Sequence, residues 1–465
     1  MNHRFQRHPV ALAVIGSCLL LGAAQTRAGG FQLNETSASG LGAASAGGAA
    51  AAEDAASMWS NAASLSRLSS RQAVGAIHLI QPSIKFRDEG STPAAQQALG
   101  GNGGDAGGLN VVPSLYVAMP INSRWAVGLG VTVPWGLVTD YDEGWIGRYQ
   151  GDKSDIQTLN LNPAVSWKPA AGIAVGFGLN AQRIEATFTN DVNYSGALLS
   201  AAAANGIVPG SATFNAIAGA TPGLSSQAVI KGSDNAYGWN AGVLWDLSPQ
   251  QRMGLSYRSA MRYHISGQAR FTNPTVAVAG PLGPTVGALS AGVNAVALSD
   301  TAVRSDVKLP AIANLSWFGT VSSAWDLMAD LQWTGWSSIQ ALTFTRDDGS
   351  VLQSTPENFK DTYKLAVGFN HRPGGAWTWR GGLAYDQSPV RDAYRTARLP
   401  DADRVWLTAG AQYRPTADWR FDVGAAYLWV RSASIDANGG SAAGRLRGHY
   451  DNNTMILSMQ ATKSF

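Results

Sequence analysis

The stretch WRFDVGAAYLWV, residues 419–430, puts Trp419, Phe421, Val423, Ala425, Tyr427 and Trp429 on one face of an extended chain and Arg420, Asp422 and Gly424 on the other. A period of two with one apolar and one polar face describes a half-buried strand. WTWRGGLAY (377–385) and WDLMADLQW (325–333) repeat the pattern, with aromatic residues at both ends of the apolar face. A soluble β-sandwich alternates too, but aromatics at both strand ends match the belts of a membrane interface. Only 14% of the residues are charged, against about a quarter in an ordinary soluble domain. Past the N-terminus, no stretch approaches the ~18 consecutive apolar residues of a membrane helix.

The connections agree with the alternation. About fourteen strands are expected, near 71–82, 109–119, 124–138, 155–167, 172–188, 232–246, 251–270, 303–319, 323–344, 359–371, 375–386, 403–413, 417–431 and 446–465. Short links such as PINS (120–123), LSPQ (247–250) and RPGG (372–375) alternate with long ones, the largest near 189–231 and 271–302. Turns on one side and loops on the other are the mark of an outer-membrane barrel. The fold class is all-β: a transmembrane antiparallel barrel of about fourteen strands, expected over residues 71–465. The last strand ends on Phe465, a terminus resembling the signal that outer-membrane assembly machinery recognises.

The N-terminus reads as an export signal. Arg4 and Arg7 precede an apolar run from Val10 to Ala24, and Thr26-Arg27-Ala28 supplies the small residues of a cleavage site, expected after Ala28. The only cysteine, Cys18, lies in that run, so the mature chain has no disulfide or thiol chemistry. A net charge of +3 gives no pointer to nucleic acid. No cofactor or metal motif is present: the six histidines are scattered, and Gly128-Leu129-Gly130 lies within a strand pattern rather than a phosphate loop. His449 near Asp451 is the one suggestive pair for a barrel hydrolase.

Two stretches break the pattern. In VGLGVTVPWGLVTDY (127–141), Pro134, Trp135 and Gly136 fall inside a strand, although proline cannot give an N–H to a ladder. SGALLSAAAANGIVPG (195–210) and VAVAGPLGPTVGALSAGVNAVAL (276–298) are apolar for extracellular loops. They read either as small helices packing over the barrel or as a groove that captures hydrophobic molecules.

The segment GFQLNETSASGLGAASAGGAAAAEDA (30–55) resembles the FadL-type outer-membrane transporters of long-chain fatty acids and other hydrophobic compounds. GWNAG (238–242), YRS (257–259), NFKDTYKLAVG (358–368), YDQSPV (385–390) and LPDADRVWLTAG (399–410) extend the resemblance along nearly the whole mature chain. It implies a monomeric barrel in the bacterial outer membrane, in contact with its lipids, with residues 29–70 folded inside the lumen as a hatch. It also implies passive uptake of a hydrophobic small molecule, with Pro134, Trp135 and Gly136 marking a kink in the third strand and a sideways exit. Phe31 and Leu33 become pocket candidates, and Asn61 and Asp386 become residues that influence the hatch. Two departures stand out. The family's hatch carries Asn-Pro-Ala where this chain has Asn61-Ala62-Ala63, and the Arg and Lys that hold a fatty-acid carboxylate align with Asn190 and Thr355. A carboxylate buried without a cation is costly, so a less anionic substrate is expected unless Arg183 or Arg346 substitutes. The alternatives are a general porin for small polar solutes and a barrel hydrolase.

Overall fold

A computed structural model describes residues 30–465; the expected export signal, residues 1–28, lies outside them. Twenty strand segments make fourteen wall strands, six of which are interrupted. They are β1 (Gln72–Asp88), β2 (Asn110–Pro120), β3 (Trp125–Thr132 and Gly136–Asp140), β4 (Lys153–Ala170) and β5 (Ile173–Asn193). Then come β6 (Ser225–Asp246), β7 (Gln251–Arg258 and Met261–Thr272), β8 (Thr301–Leu309 and Ile312–Thr320) and β9 (Trp325–Thr334 and Ala341–Arg346). The last five are β10 (Val351–Pro356 and Thr362–His371), β11 (Trp377–Asp386), β12 (Arg404–Tyr413), β13 (Trp419–Val430 and Ala433–Asn438) and β14 (Arg445–Ser464). Each is antiparallel to the next, and β1 closes on β14 over the full length from Gln72↔Ser464 to Asp88↔Gly448. Closure removes the free strand edge that a membrane would leave unsatisfied.

The apolar face of the alternation points outward. Trp125, Trp167, Trp245, Trp325, Trp377 and Trp419 stand exposed beside the short turns, and Tyr237, Tyr363, Tyr385 and Trp429 stand exposed at the other end of the strands. Between them Leu129, Leu161, Val243, Leu331, Leu407 and Met459 face the bilayer. The opposite face is buried inside the barrel, where Asp422, Gly424 and Ala426 of β13 face inward.

Residues 30–70 add no strand to the wall. They form one short helix (Ala38–Leu41), two turns of 3₁₀ helix (Ala55–Met58 and Ala62–Arg67) and backbone that lies against inward-facing glycines. An added Cβ would lie 2.1 Å from Ala63 N at Gly176, 1.9 Å from Ala49 O at Gly254 and 2.5 Å from Ala43 C at Gly382. Glycine here is a matter of close approach: the segment's main chain touches the wall where any side chain would stand.

At the extracellular end, helices α1 (Tyr194–Ala204), α2 (Ala212–Ala220) and α3 (Gly283–Gly292) carry the two apolar loops. Tyr194, Leu198, Ile217, Val286, Leu289 and Val293 bury one another in a single cluster. The packing alternative is therefore realised in these helices: their apolar side chains are spent largely on each other.

Candidate functional site

The third strand is interrupted where proline removes the donor. β2 and β3 pair from Pro120↔Ala126 up to Leu115↔Val131 and no further. Above that point β2 keeps only β1 as neighbour, and the segment Gly136–Asp140 keeps only β4. Pro113 of β2, a second residue without an N–H, falls in the same unpaired interval. The interval is bounded above by the Asp140 N–H, which donates to the Ala106 carbonyl at 3.1 Å.

The backbone freed at the interruption is taken up from inside. Leu33 N–H donates to the Pro134 carbonyl and Gly136 N–H donates to the Phe31 carbonyl, both at 2.9 Å. Trp135 N–H donates to Thr158 Oγ1 at 3.0 Å, and that hydroxyl donates to the Trp135 carbonyl at 2.7 Å. Buried main-chain groups are satisfied almost without exception in native folds, and here the start of the N-terminal segment does what β2 does lower down.

This places Phe31 beside Trp135. Their ring centroids are 5.9 Å apart, Trp336 lies 4.9 Å from Phe31 and 5.4 Å from Trp135, and Phe359 lies 6.0 Å from Trp336, all near edge-to-face. All four rings are buried. Phe31 and Phe359 of this cluster line an apolar cavity, partly open to solvent, whose walls also include Leu137, Ile184, Phe188, Ile265, Phe344 and Leu399. An apolar cavity with a few polar groups is the usual form of a small-molecule site.

Two of those polar groups are buried ionisable ones, in segments outside the outward-facing apolar belt. Glu357 follows the upper segment of β10, and burial pushes its carboxyl up to about 8, with Arg398 pulling the other way. Arg398, in the loop before β12, is lowered to about 10 by burial, an effect that Glu357 and Asp152 oppose. Its guanidinium donates to the carbonyls of Lys153 (3.0 Å) and Thr189 (3.2 Å) and to Asn190 Oδ1 (3.1 Å). The candidate substitutes lie elsewhere: Arg183 pairs with Glu185 on the exposed outer face, and Arg346 bonds Ser350 and the Ala297 carbonyl near the loops. Arg398 was missed in the sequence because it lies far along the chain from Asn190, which it touches.

The other expected residues divide by depth. Leu33 packs lower, in a cluster with Leu41 and Ala50. Asn61 caps the helix Ala62–Arg67, and its amide bridges the carbonyls of Ala49 (2.9 Å) and Val243 (3.0 Å), fastening the segment to itself and to β6. Asp386 is buried 4.0 Å from Arg404, away from the cavity. Further down, Glu53 bonds Arg380 at 2.7 Å and Asn370 at 2.8 Å, and Arg380 also pairs with Asp422. Glu35 is enclosed; burial pushes its carboxyl up to about 7, against the backbone N–H groups of Glu35 and Asn34 and the pull of Lys364 and Arg404. His449 lies between Glu89 and Asp451 on the outside of β14, away from the cavity.

A family model described as "Outer membrane protein transport protein (OMPP1/FadL/TodX)" matches residues 19–465. The chain is 32% identical over 437 residues, 93% of each sequence, to a long-chain fatty acid transport protein of Escherichia coli O6:H1. It is 31% identical to a 47 kDa outer membrane protein of Pasteurella multocida, over 89% of this chain and 90% of that one. Among solved structures, a FadL homologue of Pseudomonas aeruginosa superposes with a TM-score of 0.82 at 26% identity, covering 94% of this chain and all of that one. The Pseudomonas putida toluene transporter TodX shares the fold at 17% identity, with a TM-score of 0.65 over 94% of this chain and all of that one. A closed fourteen-stranded barrel with a filled lumen, matched over its whole length, makes the chain a member of the OMPP1/FadL/TodX family of outer-membrane transport proteins, not an enzyme.

Proposed function

We infer that the protein carries hydrophobic small molecules across the outer membrane passively, holding them in the apolar cavity and releasing them sideways between β2 and β3. One observation carries this reading: Phe31 is at once a wall of the cavity and the partner of the interrupted third strand. Withdrawal of the first few residues of the hatch therefore unblocks the cavity and the gap in one movement. Each CH₂ moved from water to an apolar site gains about 0.8 kcal/mol, so a long apolar chain favours this dry route over a wet bore. Arg398 restores a cation to the side of the cavity where Asn190 lacks one, which removes the argument against an anionic head group. Fatty acids and neutral aromatic molecules both fit its chemistry. The apolar loops contribute a cap, and a capture surface on them is limited to what that packing leaves exposed, such as Val208 and Val296.

The test replaces residues 134–136 with strand formers. The variant is expected to assemble, shown by heat-modifiable migration on gels, and to lose uptake of radiolabelled oleate and toluene. Normal uptake in an assembled variant refutes the sideways exit. Liposome swelling with sugars separates this function from that of a general porin, because a barrel filled by its hatch admits little.

A further inference from the structure

The eighth and ninth strands also part, at the level of the cavity. Their lower segments pair without a break from Ile312↔Thr334 to Thr320↔Asp326. The upper segments meet again only at Val303↔Arg346 and Arg304↔Thr345. Between these points Ser305–Leu309 keep β7 on one side and have no ladder partner in β9 on the other. β9 uses the interval for an inward turn, Trp336–Ser338, which delivers Trp336 to the aromatic cluster. Ser338 Oγ donates to the Lys308 carbonyl at 2.8 Å across the parting.

The lining of the cavity fits an opening there. Every residue from Val303 to Leu309 borders it, including Arg304, Asp306 and Lys308, which are exposed on the outside of the barrel. Ala341 at the start of the upper β9 segment is likewise exposed and borders the cavity. Successive side chains of a strand point to opposite faces, and the run of seven from Val303 to Leu309 is the longest on any strand lining the cavity; from Ser305 to Leu309 it falls where the strand lacks a ladder partner on one side. The outer face here is polar and lies beyond the aromatic belt at Tyr257 and Tyr363, at head-group height rather than in the hydrocarbon.

We propose that the parting between β8 and β9 is a side port through which amphipathic and apolar molecules held at the membrane surface enter the cavity. Its rim of Arg304, Asp306 and Lys308 is polar while Val307, Leu309, Ile339 and Leu342 inside are apolar, so a molecule lying along the interface enters tail first. The loops above have spent their apolar side chains on each other, which leaves the flank as the short path. The port rests on the cavity being the substrate site, and the experiment separates the two.

Apart from Cys18 in the expected leader the chain has no cysteine, so Ala341→Cys accepts a bulky, membrane-impermeant maleimide after assembly. The probe is 1-aminoanthracene, neutral and fluorescent, mixed with purified protein by stopped flow. Labelling is expected to slow association and dissociation alike, by about tenfold each, with Kd held within about twofold, because blocking a route changes rates and not the equilibrium. The same label at Val208→Cys on the loops is expected to change neither rate. If rates are untouched at Ala341 while the cavity-filling Ile265→Trp weakens Kd, the port is wrong and the cavity reading stands. A label that weakens Kd without slowing the approach also overturns the port. If Ile265→Trp leaves Kd unchanged, the cavity reading itself fails.

Discussion

Gly254→Ala tests how the lumen is sealed. The new methyl carbon would stand 1.9 Å from the Ala49 carbonyl oxygen and 2.4 Å from its carbon, both main chain, so residues near Ala49 must retreat by more than 1 Å. That retreat pulls on the bond from Asn61 Nδ2 to the Ala49 carbonyl, the bond from Ala49 N–H to Ser316 Oγ, and the grip of Arg252 on the Ala50 carbonyl. Buried hydrogen bonds are worth about 1 kcal/mol each, and more where one partner is charged, so hatch docking should weaken by about 2–4 kcal/mol. The undocked population then rises roughly 30- to 1,000-fold, at 1.4 kcal/mol per decade. The wall itself is spared: Gly254 keeps its neighbours Leu244 and Ser316, and alanine suits a strand better than glycine. Hydrogen exchange of residues 43–52 in the assembled, heat-modifiable variant reads the effect directly. Gly75→Ala, whose methyl would meet only Leu115 at 3.6 Å, is the control and should change nothing. Native-level protection in an assembled Gly254→Ala barrel would show that the hatch is not held by main-chain contact with the wall.

Two further perturbations act through protons. Glu35 is raised from 4.5 to about 7 by burial, so the stability it lends the docked hatch is complete below its unfolded value and disappears as pH climbs through 7; the whole effect is about 3 kcal/mol. Protection factors of the hatch, with the intrinsic pH dependence of amide exchange divided out, should fall between pH 4.5 and pH 7.5 in the native protein and stay level in Glu35→Gln; equal slopes in the two would rule Glu35 out. Glu357, raised to about 8, holds its proton at neutral pH, so it could donate to the carboxylate of an anionic ligand in the cavity there and would repel it as an anion above that. Decanoate affinity should therefore drop about tenfold from pH 7 to pH 9, remain flat in Glu357→Gln, and be matched by no change for 1-decanol; a flat native profile would show that Glu357 does not face the head group.

The wall was legible because its code is local. Alternation at 325–333, 377–385 and 419–430 needs only neighbours two apart, and every short turn read from the chain joins the strands it was expected to join. Length was less legible: β1 runs on to Asp88 and β6 begins at Ser225, where polar residues continue the strand above the bilayer and the apolar signal stops. The interruption at Pro134 announced itself through a missing N–H. The interruptions at 335–340 and 357–361 did not, because their causes are tertiary: an inward turn that carries Trp336, and a buried Glu357 with its Arg398 neighbour. Arg398 was unreadable for the same reason, since its contact with Asn190 joins positions more than two hundred residues apart.

The bonds from Leu33 to Pro134 and from Gly136 to Phe31 make the stopper and the wall a single ladder. Pulling the stopper out strands an amide and a carbonyl at the lipid boundary, where nothing replaces water. On the sideways route proposed above, an open state would therefore carry a penalty of several kcal/mol until cargo or chain returned. A gate so costly to leave ajar would reseal behind each passenger and need no latch, which suits a membrane whose first duty is exclusion.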